Sequence, residues 1–277
     1  MNKIKDSLSN FRKLFEQSIK VDVIAEFNLC TCKNTDYVSI AKKKMEDNHF
    51  DILPIEDEKG IIDSYIQFSD IENIENGICQ DYAKSISPSH LISDYTSLLD
   101  LFSIIKDRSF IFVIKKNKVS GIVTKADLHK LPVRIFLFGI ITLLEMHLLR
   151  LINIYFPNDE SWKKEIKPKR LDYAENLLKK KKDKNEETTL VDCLQMCDKR
   201  DLILKSDEIC EKLSSNFSKK KIRSMLTKAQ DLRDNLAHSQ KNITNNWSET
   251  IELISDIEKF IELCEKNFSR NIGDGSL

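Results

Sequence analysis

The chain has 277 residues, which is enough for about two domains. Its 44 Lys and Arg residues balance 44 Asp and Glu residues, so overall charge gives no indication of nucleic-acid binding. Hydrophobic residues make up 41%, too many for a disordered chain. Only 6 Gly and 5 Pro are present, which excludes a loop-rich β-barrel and a glycine-rich nucleotide loop and favours helices.

The cysteines and the apolar segments indicate a soluble, cytoplasmic protein. Seven cysteines occur without a Cys-x-x-Cys pair or a secretory leader, so we expect reduced thiols. Cys193 and Cys197 lie one helical turn apart without further ligands nearby, and we expect no metal site. The longest apolar stretch, residues 135–144, is too short for a hydrocarbon core of about 30 Å, which predicts a buried helix and no membrane partner.

The first 20 residues have apolar side chains at intervals of three or four. This spacing predicts an amphipathic N-terminal helix over residues 1–20 that packs on the next domain or on a second copy. The pattern that follows occurs twice between residues 21 and 130: a helix, an apolar strand, a turn and a second strand. Asp70 and Asp127 close the two copies 57 residues apart, which indicates an internal repeat.

This repeat resembles a tandem pair of CBS domains, with repeat 1 at residues 21–75 and repeat 2 at residues 76–130. The second copy contains the clearest signature, Gly121-Ile-Val-Thr-Lys-Ala-Asp127. The first copy has Ser64 where Gly is usual and Gln67 where Ser or Thr is usual, but it keeps Asp70. The resemblance implies β-α-β-β-α repeats around a cleft for an adenine nucleotide (AMP, ADP or ATP), with S-adenosylmethionine or a cyclic nucleotide as other ligands. The degenerate first copy suggests one ligand site per pair.

Five residues are the candidates for this ligand site. Gly121 lets a backbone approach closely, and Thr124 offers a hydroxyl at a strand-to-helix turn where free N–H groups favour a phosphate. Lys125 could neutralise a phosphate, and Asp127, like Asp70 in the first copy, could accept hydrogen bonds from ribose hydroxyls. The alternative is that Thr124 and Asp127 only cap the following helix.

The second half reads as helical throughout. Residues 131–156 have a broad apolar stripe, which predicts a long buried helix joined directly to the repeat. Residues 157–188 are rich in lysine, as either a solvated face or a surface for RNA phosphates. Further helices are predicted within 189–267, so residues 131–268 should form a bundle and residues 269–277 a flexible tail. The predicted fold class is α+β, with a tandem CBS module followed by an all-α bundle.

One segment of this bundle, Arg233-Asp-Asn-Leu-Ala-His238, has the form Arg-x4-His. In its helical context it resembles the HEPN domain of prokaryotic defence and toxin ribonucleases, which implies a homodimer or higher oligomer that cleaves RNA. A histidine can act as general acid or base near neutral pH, and an arginine binds phosphate oxygens with two hydrogen bonds. Asp234 could orient His238 or hold Arg233, with Asn235 and Glu145 in supporting roles. His147, two residues after Glu145, is expected at an interface or on the surface.

The spacing of the two main residues restricts the geometry. Five positions along an ideal helix rotate by about 500°, which leaves Arg233 and His238 about 140° apart. Either the helix ends or kinks around Asn235, or two chains form a composite site, as the HEPN resemblance implies. The alternative is structural: His238 caps the helix, and Arg233 pairs with Asp234 or Glu145.

Together these patterns predict a nucleotide-regulated, metal-independent endoribonuclease. The 2′-hydroxyl of the RNA would attack its own phosphate, which leaves a 2′,3′-cyclic phosphate and a 5′-hydroxyl, and no DNA partner is expected. Nucleotide state would act on the dimer through the junction at residues 127–131. The alternative is a non-catalytic, nucleotide-sensing protein whose bundle only dimerises or binds a partner.

Overall fold

The computed structural model describes residues 6–238 and 240–268, so the predicted tail at residues 269–277 lies outside the described residues. The chain forms two compact units. One comprises residues 14–133, and the other combines the segment up to Lys13 with the chain from Arg134 onward. The predicted α+β organisation, a β/α module followed by a helical region, is confirmed.

The unit of residues 14–133 contains two sheets. The first has the strand order β1-β2-β3-β4, and the second has the order β5-β6-β7. In each sheet the first two strands are parallel and the remaining pairs are antiparallel. The strands are β1 Cys32–Lys33, β2 Ile52–Glu56, β3 Ile62–Gln67, β4 Lys84–Ser85, β5 Leu91–Ser93, β6 Phe110–Lys115 and β7 Lys118–Thr124.

Helices provide the crossovers that parallel strand pairs require. Helix α2, Val38–Asn48, joins β1 to β2, and α4, Leu98–Ile105, joins β5 to β6. Ser97 caps α4 by accepting a hydrogen bond from the Asp100 backbone N–H at 3.1 Å. The last element of each predicted repeat is short: α3, Phe68–Ile71, follows β3, and only a 3-10 turn, Asp127–His129, follows β7.

The second unit is helical. Helix α1, Ser7–Ser18, begins in this unit and continues into the other one. The helices that follow are α5 Leu131–Tyr155, α6 Glu160–Lys163, α7 Pro168–Lys182, α8 Met196–Lys205, α9 Asp207–Leu213, α10 Lys219–Ala237 and α11 Trp247–Phe268. Within the unit, α10 packs on α8 and on α11 around a core of aliphatic and aromatic side chains.

Helix α5 is longer than the apolar stretch that suggested it. It has 25 residues, and by length and hydropathy it is the one helix in the described chain that could cross a membrane. Of its most apolar window, 56% is buried. The sequence suggested a surface or interface position for His147, but its side chain is buried between α1 and α11, where Ser7 Oγ lies 3.1 Å from its Nε2.

Candidate functional site

The turn after β7 is closed by its own hydrogen bonds. Thr124 donates to Asp127 Oδ2 from its backbone N at 2.7 Å and from its hydroxyl at 3.0 Å. The other oxygen, Asp127 Oδ1, lies 2.7 Å from the Lys130 ammonium, which also donates to the Ile24 carbonyl at 2.6 Å. Both carboxylate oxygens are therefore engaged within this turn, and a ribose hydroxyl would have to compete with Lys130 for Asp127.

The space above Gly121 is filled by this chain itself. A Cβ atom at this position would lie 2.9 Å from the Phe27 ring and 3.1 Å from the Glu26 carbonyl oxygen. Glu26 and Ile122 exchange backbone hydrogen bonds of 2.9 and 3.0 Å, which bring the two segments together. The close approach expected for a ligand backbone or phosphate is thus made by residues 26 and 27.

The remaining predicted ligand residues lie beside other parts of the same unit. Lys84, on β4, places its ammonium 2.6 Å from Asp70 Oδ2 and 2.6 Å from the Gln67 side-chain oxygen. The backbone N of Lys125 donates to the Ser109 carbonyl at 3.3 Å. Asp70 is thus bridged to Gln67 by a lysine, and Lys125 is tied to the loop that precedes β6.

A cavity of about 360 Å³ opens in this unit next to those contacts. His90 and Phe110 stack on one side of it with ring centroids 5.3 Å apart, and Tyr65 packs against Phe110 at 5.1 Å. The residues around it are Tyr65, Gln67, His90, Asp107, Arg108, Ser109 and Phe110. Phe110 pairs with Thr124 in the β6–β7 ladder, so the predicted turn lies one strand away from the cavity.

Sequence reasoning missed most of this cavity. Of its lining residues, Gln67 alone was connected with the repeat motif, and His90 was given no role. The candidates Gly121, Thr124, Lys125, Asp127 and Asp70 are not among the lining residues. The lining comes from the ends of β3 and β6 and from the turn before β5, and only their assembly in space reveals it. The one signal of this cavity in the sequence was the charged pair Asp107-Arg108, in the loop between α4 and β6.

In the helical unit, Arg233 is held by two carboxylates. Its Nη1 donates to Glu145 Oε1 at 3.0 Å, and its Nε and Nη2 donate to Asp234 Oδ1 at 3.2 and 3.0 Å. Lys199 approaches the other oxygen of Glu145 at 3.8 Å. Burial opposes the charge of Arg233, but its hydrogen bonds with Glu145 and Asp234 outweigh burial and raise the pKa of the guanidinium. The Arg233 side chain is still 30% exposed.

His238 lies at the end of α10 with an exposed side chain. The helix runs through Ala237, and the His238 backbone N donates to the Asp234 carbonyl at 3.0 Å as its C-terminal cap. Asn235 donates to the Ile243 carbonyl at 3.1 Å, which fixes the loop before α11. The structure therefore brings Arg233, Asp234 and Glu145 into one cluster, and it gives His238 and Asn235 local structural contacts.

A second cavity, of about 450 Å³, lies between α10 and α11. Asn235 borders it, but Arg233 and His238 do not. Its wall mixes polar side chains such as Lys228, Asn242 and Asn246 with the apolar Leu232 and Leu253. Among residues 6–238 and 240–268, no group of three His, Cys, Asp or Glu side chains converges as a metal site would require.

Comparison with known proteins identifies part of the first unit. The family model "CBS domain" matches residues 83–134. A search of the curated proteins found no match. The match covers most of predicted repeat 2, whereas repeat 1 and the HEPN-like bundle lie almost wholly outside it and stay predictions.

Several solved CBS structures are similar to about two fifths of the chain. The CBS domains of a transcriptional regulator from Streptococcus pneumoniae are 14% identical, covering 40% of this chain and 98% of that one, with a TM-score of 0.37. The CBS domain of a bacterial CNNM/CorC family Mg²⁺ transporter in complex with ATP is 11% identical. That match covers 44% of this chain and 92% of the other, with a TM-score of 0.37. CBSX2 in complex with AMP is 16% identical, and the match covers 40% of this chain and 93% of the other, with a TM-score of 0.35. The family match by itself shows that residues 83–134 are similar to a CBS domain.

Proposed function

We propose that the unit of residues 14–133 is a tandem CBS module that binds an adenine nucleotide in the 360 Å³ cavity. The first sheet repeats the strand–helix–strand–strand order of the second, which supports a pair of repeats. The CBS match supports the ligand class, because CBS clefts commonly take adenine nucleotides. The cavity itself is the observation on which the proposal depends.

The cavity offers the groups that such a ligand needs. The His90 ring, which stacks on the buried Phe110, can offer its other face to a purine. The Arg108 guanidinium can bind phosphate oxygens with two charge-assisted hydrogen bonds. The Gln67 amide, already bridged to Asp70 by Lys84, lies where a ribose or base edge can be hydrogen-bonded. The proposed site is therefore centred on Arg108 and His90, and Thr124 and Asp127 act behind it as a cap.

Isothermal titration calorimetry with AMP, ADP and ATP tests this proposal. The wild-type protein should bind at least one of them, and Arg108→Ala should weaken its affinity about 10–100-fold, because one charge-assisted contact is lost. Arg223→Ala, which removes an exposed arginine from α10 of the other unit, is the matched control and should bind normally. Binding that is unaffected by Arg108→Ala would contradict the proposed cavity, and no heat with any nucleotide would contradict nucleotide sensing.

We further propose that the helical unit is a metal-independent endoribonuclease, with Arg233 and His238 as its catalytic residues. His238 would transfer protons while the 2′-oxygen forms its bond to phosphorus and the 5′-oxygen leaves. Arg233 would stabilise the charge on the phosphorane, which is typically worth about 10²–10³-fold in rate. The exposure of both side chains supports this role, since each can reach a phosphate. Glu145 and Asp234 would orient Arg233.

A homodimer would supply the composite site that this chemistry needs. An exposed apolar face on α5 supports a second copy as the partner: Ile135, Phe138 and Met146 are 52%, 51% and 45% exposed and lie on one side of the helix, with Thr142 among them. No charged residue interrupts this face, so two copies related by a two-fold axis could bury it without burying an unpaired charge. Mass measurement in solution tests the assembly.

Nucleotide binding would control the dimer through the covalent junction between the units. Helix α5 begins at Leu131, four residues after Asp127, and the division between the units falls inside it. A coupling free energy of about 1–3 kcal/mol is usual for such switches. Its sign follows from measuring cleavage with and without nucleotide.

The alternative function is a non-catalytic sensor whose bundle binds a partner. The two carboxylates that hold Arg233 and the capping position of His238 favour it, because both residues already have structural contacts. RNA cleavage in EDTA separates the two functions, comparing wild type with His238→Ala, Arg233→Ala and the control Arg223→Ala. Cleavage by wild type and Arg223→Ala alone supports the enzyme. Absence of cleavage by the dimeric wild type at every nucleotide concentration supports the sensor.

A further inference from the structure

Two of the seven cysteines lie in the core of the first sheet. Cys32 lies on β1 and Cys79 on the 3-10 turn Cys79–Asp81, and the Cys79 thiol donates to the Tyr37 carbonyl oxygen at 3.9 Å. Both side chains are buried, with 2% and 0% exposure, and belong to one hydrophobic cluster. Both are free thiols in this structure.

The backbone holds the two cysteines together independently of their side chains. The Cys79 backbone N donates to the Asp36 carbonyl at 2.8 Å, and the next residue, Gln80, donates to the Asn34 carbonyl at 2.9 Å. These bonds fix the segment after Cys32 alongside the turn that contains Cys79. A disulfide requires Cβ atoms about 3.8 Å apart, so the two side chains would have to turn toward each other within the cluster that they share.

The two thiols differ in reactivity. The neighbouring Cys79 thiol lowers the pKa of Cys32, and the nearby Lys44 ammonium lowers it further, so that together they outweigh burial. Lys44 is held in place by its hydrogen bond of 2.7 Å to the Thr31 carbonyl. The Cys32 thiol and burial raise the pKa of Cys79. Cys32 is therefore the nucleophile, because the thiolate is the reactive form of cysteine.

We propose that Cys32 and Cys79 form an oxidative modification site, which a hydroperoxide converts into an intramolecular disulfide. The Cys32 thiolate attacks one peroxide oxygen and the O–O bond breaks, which gives a sulfenic acid and a hydroxide ion. The hydroxide takes up the proton that the Cys32 thiol released on ionisation and becomes water. The Cys79 sulfur then attacks the sulfenic sulfur, the S–S bond forms, and a second water leaves with the Cys79 proton. The two thiols lose two electrons and two protons, and hydrogen peroxide is reduced to two water molecules.

Access to the buried pair comes from the shortness of the elements that carry it. Strand β1 has two residues at the edge of its sheet, and the turn that holds Cys79 has three. Short edge elements open locally at a small fraction of the global unfolding free energy, which admits a molecule as small as hydrogen peroxide. The disulfide would then tie the β1–α2 segment to the start of the second repeat, so that β1 opens less readily.

Peptide mapping by mass spectrometry after hydrogen peroxide treatment of the full, reduced chain tests the proposal. We expect one cross-linked species that joins the Cys32 and Cys79 peptides, lighter by two hydrogen atoms than the pair of reduced peptides. The oxidised protein should unfold at a temperature about 5–15 °C higher, and a thiol reductant should reverse the shift. The matched control Cys193→Ser, in the helical unit, should give the same species, and Cys32→Ser should abolish it.

Several results would overturn the proposal. One is a cross-link from the half-buried Cys30, which packs on the same cluster, in place of the Cys32–Cys79 bond. Others are oxidation of Cys32 to a sulfonic acid without a cross-link, or no modification of either residue at peroxide concentrations that modify Cys30. The wild-type map is decisive by itself, so the test does not depend on folding of the serine variants.

Discussion

Replacing Gly121 by alanine separates a structural role of this glycine from a ligand-binding role. The added Cβ would lie 2.9 Å from the Phe27 ring and 3.1 Å from the Glu26 carbonyl oxygen, and a backbone atom cannot move aside as a side chain can. Overpacking of this kind costs about 1–3 kcal/mol. Alanine also restricts the unfolded chain, which offsets about 0.4–1 kcal/mol. We therefore expect Gly121→Ala to lower the free energy of unfolding by about 0.5–2 kcal/mol without any nucleotide present.

Urea unfolding followed by circular dichroism measures this change, and hydrogen exchange of β6 and β7 localises it. Both tryptophans, Trp162 and Trp247, lie in the helical unit, so their fluorescence reports on that unit separately. Phe27→Ala should relieve part of the clash, so that the double variant loses less than the sum of the single changes. Ser120→Ala on the same strand is the control. Unchanged stability together with lost nucleotide affinity would refute the packing argument and restore the ligand role of Gly121.

Three further predictions concern the helical unit. Burial lowers the pKa of His147 to about 4, although the nearby Glu265 carboxylate opposes this shift. Between about pH 6.5 and pH 4, His147 is therefore protonated in the unfolded chain and neutral in the folded chain. The free energy of unfolding should therefore fall by up to about 3 kcal/mol as the pH drops through this window, and His147→Gln should flatten that dependence in urea titrations. Glu145→Gln should destabilise the unit by about 1–3 kcal/mol in the same assay, because the buried Lys199 loses its carboxylate. If charge rather than packing is responsible, Glu145→Ala should cost about as much as Glu145→Gln, and a much larger loss with alanine would contradict this explanation. Phe138→Glu should shift a dimer to monomers in light scattering with little change in unfolding, and an unshifted mass would show that this face is not the interface.

Hydrophobic periodicity and the repeat were enough to predict the longer elements of secondary structure. Within residues 38–124 local patterns located α2, α4 and the strands β2, β3, β6 and β7 but not the short strands β4 and β5, and they also placed the end of α10 near His238. Both are properties of short stretches, in which spacing alone decides which side chains share a face. The alternatives of local capping, for Thr124 with Asp127 and for His238, were also accessible, because each involves residues close in sequence.

Contacts between distant segments could not be predicted in this way. Phe27 covers Gly121 across 94 residues, and Lys199 meets Glu145 from another helix. The expected interface or surface position of His147 was not found, for the same reason. Its neighbours Ser7 and Glu265 come from opposite ends of the described chain, and periodicity within α5 contains no information about them.

The hydrogen bond between Ser7 and Glu265 joins residues separated by 258 positions. During synthesis the segment around Ser7 is made before residues 14–133, and its binding site on α11 is translated only after them. That intervening unit has all its own strands by then and can complete its fold on the ribosome, whereas the helical unit must wait for α11. A pause in translation before α11 would therefore leave the Ser7 hydroxyl and the Leu8 backbone N without Glu265, next in sequence to a unit that has already folded.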